Sequence, residues 1–312
     1  MTPRVSVIVA ARDASTTLAE TLASVRGQTY TDWEVVLVDD ASTDGTADLA
    51  RSVIEGARVE RHEVAQGPGA ARNHGAAVAR GELLAILDAD DIWKPRYLES
   101  QVAAYDRAVA EGRRVAAVCC DADLVGPAGP TGHCWSKRVG AGGAVGLDGM
   151  LGENTVFTSV LMPRAVFEVL GGYETDDRIH LEDYDLWLRM LEAGYEIVVN
   201  PEVLALYRLA ETARSSKVER MATGGMMIMD RALARGALTP RQRRLARKRR
   251  RMYDVVRRRA LIAADPRAGR RALGLLRAAP AIAFSALEHP ERWRHWLRQG
   301  PRAAGRGRHA GA

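Results

Sequence analysis

Four short, predominantly apolar runs punctuate the first 120 residues: Val5–Ala10, Trp33–Val38, Leu83–Leu87 and Val115–Cys120, with Ser6 and Glu34 the lone polar residues in the first two. None alternates polar with apolar residues, so each predicts a strand buried on both faces. Helical patterns fall between them. Leu18, Leu22 and Val25 share one face, with Ser15 or Thr16 as the expected N-cap. Thr46 is placed to cap a helix over Ala47–Ile54, Ala70–Ala79 reads as a helix closed by Gly81, and Pro95 opens another. This alternation predicts an α/β fold, a mostly parallel sheet with helices on both faces. The Gly-rich stretch Gly126 to Gly152 reads as a long loop. Short strands are expected at Val156–Met162, Ile197–Val199 and Val203–Tyr207, with a helix over Leu181–Ala193. From 216 to 300 only three or four helices are expected.

Charge divides the chain. Residues 240–312 carry a balance of +17 and the rest −11, so the net +6 describes neither part. Arg241 to Arg259 holds eleven Lys and Arg against one acid, Asp254, with Leu245, Met252 and Val256 at helical spacing. A solvated helix packed on the acidic body explains this. An anionic membrane surface is the next partner to consider, through residues 241–298, where Trp293 and Trp296 lie among arginines. Nucleic acid ranks last. No apolar stretch reads as a membrane span. Three cysteines, two of them adjacent, argue against a disulfide framework and for a cytoplasmic setting, peripheral to the membrane if the basic segment binds lipid.

The strand ends carry the chemistry. In an open parallel sheet, ligands bind outside the carboxyl ends of the strands. Here those ends hold Asp39-Asp40 and Asp88-Ala89-Asp90-Asp91. Clustered carboxylates repel one another unless a cation lies between them, and Asp88 with Asp90 suits a hard divalent ion. A turn with helix-capping aspartates is an equal reading of that segment alone. Gly67-Pro68-Gly69 opens a helix with Arg72 on its first turn. It lacks a third glycine, so a plain turn with a surface arginine is the simpler reading. In Glu182-Asp183-Tyr184-Asp185, Asp185 has Arg189 four residues on, a surface ion pair, and Glu182 favours a helix N-terminus. Asp183 faces only Leu186 and Trp187, so it is either a cap or a general base. Of the three it is the best candidate base.

Three stretches in this order, VSVIVAARDASTTLAETLASVRGQTYTDWEVVLVDDASTDGT, GPGAARNHGAAVARGELLAILDADD and LGGYETDDRIHLEDYDLWLRM, resemble the family 2 inverting glycosyltransferases over about the first 210 residues. The resemblance implies the A-type glycosyltransferase fold, Rossmann-like, and transfer of one sugar from a nucleotide-diphospho-sugar to a hydroxyl on a glycan, lipid-linked or small-molecule acceptor, as in cell-envelope polysaccharide or glycoconjugate biosynthesis. It implies that Ala10, Ala11, Arg12 and Asp39 hold the nucleoside, Arg72 lies near the nucleotide, and Asp88 contacts ribose or diphosphate. Asp90 would ligate Mg²⁺ or Mn²⁺, and Asp183 would deprotonate the acceptor. Glu182, His180 and Trp187 are candidates on the acceptor side. Residues 1–212 are then the catalytic domain, with a donor half to about 125 and an acceptor half from 126. A basic helical extension spans 213–299 and a disordered tail 300–312. The chain departs from the family at Arg12, where relatives often have an aromatic residue, and after Tyr207-Arg208, where they often have a histidine. The Q-x-x-R-W motif of processive synthases is absent. A non-catalytic nucleotide-sugar-binding or membrane- or nucleic-acid-associated module is the competing expectation.

Overall fold

The computed structural model describes residues 2–136, 145–176, 178–209 and 218–264. Strand β1 (Val5–Ala11) is buried along nearly all its length and pairs in parallel with β2 (Trp33–Asp39) on one side and β4 (Leu83–Asp88) on the other. β3 (Arg58–Arg61) extends this parallel set beyond β2. The register aligns the strand ends: Ala11 lies opposite Asp39 and Ala10 opposite Asp88, so all three reach one level.

Beyond β4 the sheet changes character. Its order is β3-β2-β1-β4-β8-β6-β9-β5, with β5 (Ile92–Trp93), β6 (Val115–Gly126), β8 (Val160–Pro163) and β9 (Glu196–Arg208). β8 runs antiparallel to both β4 and β6, and β5 antiparallel to β9, while β6 and β9 are parallel. The mostly parallel expectation therefore holds for the first four strands and gives way to a mixed sheet. Apolar residues pack on both faces of it. One cluster includes Leu18, Leu22, Leu37, Tyr97 and Phe157, and the other Ile8, Leu84, Trp187 and Ile228.

The helices are α1 (Leu18–Arg26), α2 (Thr46–Val53), α3 (Pro68–Val78), α4 (Tyr97–Ala110), α5 (Leu147–Gly152), α6 (Arg164–Val169), α7 (Glu182–Glu192), α8 (Val218–Arg235) and α9 (Pro240–Ala264). Several local expectations are corrected. The expected loop from Gly126 to Gly152 contains a hairpin of β6 with β7 (Gly129–Cys134) and helix α5. The two short strands expected at 197–207 are one strand, β9, with register irregularities against β6. Neither Ser15 nor Thr16 caps α1. Thr17 takes the N-cap position, but its hydroxyl donates to the Ala89 carbonyl at 2.9 Å instead of capping. Thr46 lies inside α2, and its amide donates to Asp44 Oδ1 at 3.1 Å. Gly81 does not close α3, which ends at Val78. A Cβ at Gly81 would lie 2.7 Å from the Ser6 amide nitrogen, so close packing against β1 requires glycine. Of the helices expected after 216, α8 and α9 are described. The expectations for Trp293, Trp296 and the tail at 300–312 lie outside the described residues. No described helix is long and apolar enough to cross a membrane.

Candidate active site

The turn after β4 is built to hold acids together. Thr17 and Thr21 of α1 both donate to the Ala89 carbonyl, at 2.9 and 3.1 Å. Arg208, the last residue of β9, donates from Nε to the Asp90 carbonyl at 2.8 Å and from its backbone amide to Asp91 Oδ1 at 3.1 Å. Asp91 is fully buried, and its Oδ2 has no hydrogen-bond partner among the described residues. Burial, reinforced by the Asp88 charge, pushes the Asp90 carboxyl up to about 6. Burial, with Asp88 and Asp90 close by, raises Asp91 as well. Low polarity and like charge both disfavour ionisation, and a bound cation would relieve both.

Arg72 joins this turn to a second element. At Gly69 a Cβ would overlap the Glu174 carbonyl, so glycine lets the 172–174 segment lie on the start of α3. One turn on, Arg72 is buried rather than at the surface. Its two terminal nitrogens fork, one to Asp88 Oδ1 at 2.5 Å and the other to Glu182 Oε1 at 2.8 Å. The guanidinium lies 5.3 Å from the centre of the Tyr173 ring. Asn73 holds Tyr173 through two bonds to its backbone, each 2.8 Å. Asp88 Oδ2 accepts from Thr158 Oγ1 at 3.2 Å. Acids from β4 and from α7 thus share one guanidinium.

Asp183 follows Glu182 in the first turn of α7. It is half-buried and accepts the Tyr184 amide at 2.6 Å. Burial first, and then the Glu182 charge, push its carboxyl up to about 7, against the pull of Arg72. A carboxylate so tuned is a capable proton acceptor near neutral pH. Asp185 does pair with Arg189, at 2.7 Å, but not at the surface. It is 3% exposed and also pairs with Arg235 of α8 at 3.1 Å. Trp187 is fully buried, 6.4 Å from the Tyr173 ring, and so presents no open face for an acceptor to stack on. His180 is half-buried beside Gly224 of α8.

At the other strand ends, Asp39 is fully buried. Its Oδ2 accepts from Arg61 at 2.8 Å and its Oδ1 from the Ser42 amide at 3.0 Å. Asp40 ties down the loop into α3, accepting from Gln66 and Gly67 amides and from His62 Nδ1, each at 2.8 Å. The Arg12 side chain is exposed and lies 3.8 Å from Asp13. Ala10, Ala11, Asp39, Asp88, Asp90, Arg72, Glu182 and Asp183 therefore gather along the carboxyl edge of the sheet and the two helix starts beside it. Sequence reasoning missed Tyr173, Thr158, Asp91, Arg61 and Arg208. Of these, Asp91 was legible as a strand-end acid next to Asp90 and Arg208 as part of Tyr207-Arg208, but neither was given a role.

Among the described residues, no three His, Cys, Asp or Glu side chains form a cage for a metal ion. The crowded acids of the Asp88–Asp91 turn, with Asp91 Oδ2 unpartnered, nevertheless have the oxygen-donor chemistry that suits a hard divalent cation.

The sequence pattern of the family described as Glycosyl transferase family 2 matches residues 6–125. The putative glycosyltransferase EpsE of Bacillus subtilis is 32% identical over 227 residues, which cover 69% of this chain and 76% of EpsE. WfgD of Escherichia coli, a UDP-Glc:alpha-D-GlcNAc-diphosphoundecaprenol beta-1,3-glucosyltransferase, is 36% identical over 103 residues, 32% of this chain and 40% of that protein. Several further relatives match over 30–40% of their own length. Among solved structures, the mannosyltransferase PcManGT from Pyrobaculum calidifontis in complex with GDP-Man and Mn²⁺ superposes with a TM-score of 0.62 at 21% identity, covering 96% of this chain and 84% of that one.

Proposed function

This chain belongs to glycosyl transferase family 2, and on that premise we propose that it is a metal-dependent, inverting enzyme that moves one sugar from a nucleotide-diphospho-sugar to an acceptor hydroxyl. In this reading Asp39 and the backbone of Ala10 to Arg12 hold the nucleoside at the strand ends. Asp88 receives the ribose or diphosphate, and Asp90 is the protein ligand to Mg²⁺ or Mn²⁺. Bound there, the ion neutralises the diphosphate leaving group as a Lewis acid. Arg72 orients Asp88 and Glu182 and spreads positive charge behind both. Asp183 takes the proton of the acceptor hydroxyl, whose oxygen attacks the anomeric carbon as the bond to the diphosphate breaks. A single in-line displacement leaves the configuration inverted. GDP-Man with Mn²⁺ in PcManGT supports the donor and metal assignment, and the named activity of WfgD supports an acceptor carried on a lipid diphosphate.

One observation carries this reading: the Arg72 fork, which brings the donor-side acid Asp88 and the helix start bearing Asp183 to a common guanidinium. The test separates binding from chemistry. Asp183→Asn should hold the donor with unchanged affinity in calorimetry yet lose transfer, while Asp90→Ala should weaken the Mn²⁺-dependent part of donor binding. Ordinary turnover by Asp183→Asn would refute the base assignment.

A further inference from the structure

Over its first turns, to about residue 253, helix α9 is attached by one side. Ala246 and Tyr253 face the core shared with Tyr184 of α7, Arg250 pairs with Asp230 of α8, and Gln242 donates to Asp148 of α5 at 2.9 Å. On the opposite side Arg241, Arg244, Arg247, Lys248 and Arg251 are all exposed. At 3.6 residues per turn these five fall within about a third of the helix circumference, in a row about 15 Å long. Arg241 pairs with Asp148 at 3.3 Å. Arg244, Arg247 and Arg251 have no carboxylate partner among the described residues.

We propose that this row is a docking surface for an anionic lipid bilayer. Three aligned guanidinium groups without counter-charges among the described residues attract anions, and a row of exposed side chains along one side of a single helix suits a flat, like-spaced array of anionic groups. It offers no groove and no aromatic side chain on which a base could stack, which disfavours nucleic acid. It also exposes no apolar side chain, so contact is electrostatic and interfacial, without insertion. Orientation follows from charge: residues before 240 balance to −11 and turn away from a like-charged surface. The face lies on the α5–α7–α8 side of the molecule, and α7 carries Asp183 at its start. The proposal deepens the transfer reading by placing the acceptor at a membrane, and rests on that reading for its purpose.

The experiment is co-sedimentation of the full chain, without donor, with vesicles of phosphatidylcholine alone or mixed with phosphatidylglycerol. Binding is expected only to the mixed vesicles and should vanish at high salt. The triple variant Arg244→Gln, Arg247→Gln, Arg251→Gln should lose on the order of a hundredfold in partitioning, about fivefold per residue. Its melting temperature should match the parent's, because all three side chains are exposed. The triple Arg→Lys variant keeps the charge and should bind like the parent. Unchanged binding by the glutamine variant, equal binding to neutral vesicles, or preference for duplex DNA at the same salt would each overturn the proposal. None of these touches the transfer reading, and Asp183→Asn should still bind the mixed vesicles.

Discussion

With Asp88 at 2.5 Å and Glu182 at 2.8 Å, the Arg72 guanidinium has traded water for two carboxylates while only 6% of the residue is exposed. Removing one partner of such a group leaves buried charge unbalanced, which costs about 3–5 kcal/mol. Arg72→Met should therefore lose about that much stability in urea titration. Arg72→Lys keeps the charge without the fork and should recover only part of it. Asp183 works in the other direction. Its carboxyl is pushed up to about 7, chiefly by burial, so the charged form that a base requires is the form the site disfavours. Transfer should therefore fall as pH drops through about 7, because Asp183 then carries a proton. The native state binds that proton more tightly than the unfolded chain does, so this residue's contribution to stability worsens as pH rises from the ordinary carboxylate range towards 7. Asp183→Asn should then be more stable than the parent at pH 8, with the difference fading in acid, while transfer falls by about 10²–10⁴-fold. A variant that lost stability at pH 8 would contradict the desolvation account.

Among the elements, α3 and the 172–174 segment meet where Gly69 lies under the Glu174 carbonyl. Gly69→Ala must push that segment away, and Tyr173 with it, from the Arg72 guanidinium. Overpacking of this kind costs about 1–3 kcal/mol. The expected outcome is a lower urea midpoint together with weaker donor binding, whereas Gly149→Ala, whose Cβ meets nothing within 4 Å, should alter neither. The elements themselves were legible because a run such as Val5–Ala10, too short for a helix and rich in β-branched residues, suits a strand buried on both faces. The acids at strand ends were legible because register carries every parallel strand of a βα unit to the same edge. What stayed hidden is what distant residues decide. Ser15 and Thr16 looked like caps, yet Thr17 spends its hydroxyl on Ala89, 72 residues away. Arg72 read as a surface arginine because its partners Asp88 and Glu182 lie 16 and 110 residues on. Trp187 was a candidate on the acceptor side, but α7 turns that position into the core. The antiparallel insertion of β8 between β4 and β6 had no signal in a four-residue strand of ordinary apolar residues.

For the molecule as a whole, one sheet runs from β3 to β5, and the site crosses it: Asp39 on β2, Asp88 on β4 and Arg208 on β9 bound the same edge. The division at about residue 125 between donor and acceptor halves thus falls inside β6, within a continuous hydrogen-bonded layer. A ligand held at that edge touches parts contributed by both halves, so it should stabilise them together. A nucleotide-sugar binding the native state alone raises stability by about 2.7 kcal/mol at a hundredfold excess over Kd. In a thermal-shift panel of UDP-, GDP- and dTDP-sugars, the right donor with Mn²⁺ should raise a single melting transition, and that rise should shrink when the ion is chelated. Asp90→Ala should lose the ion-dependent part and keep the rest if, as proposed, Asp39 and the strand ends meet the nucleoside. Two transitions, with only one responding to donor, would show instead that the halves melt separately, and the sheet would then not be the unit that holds the site.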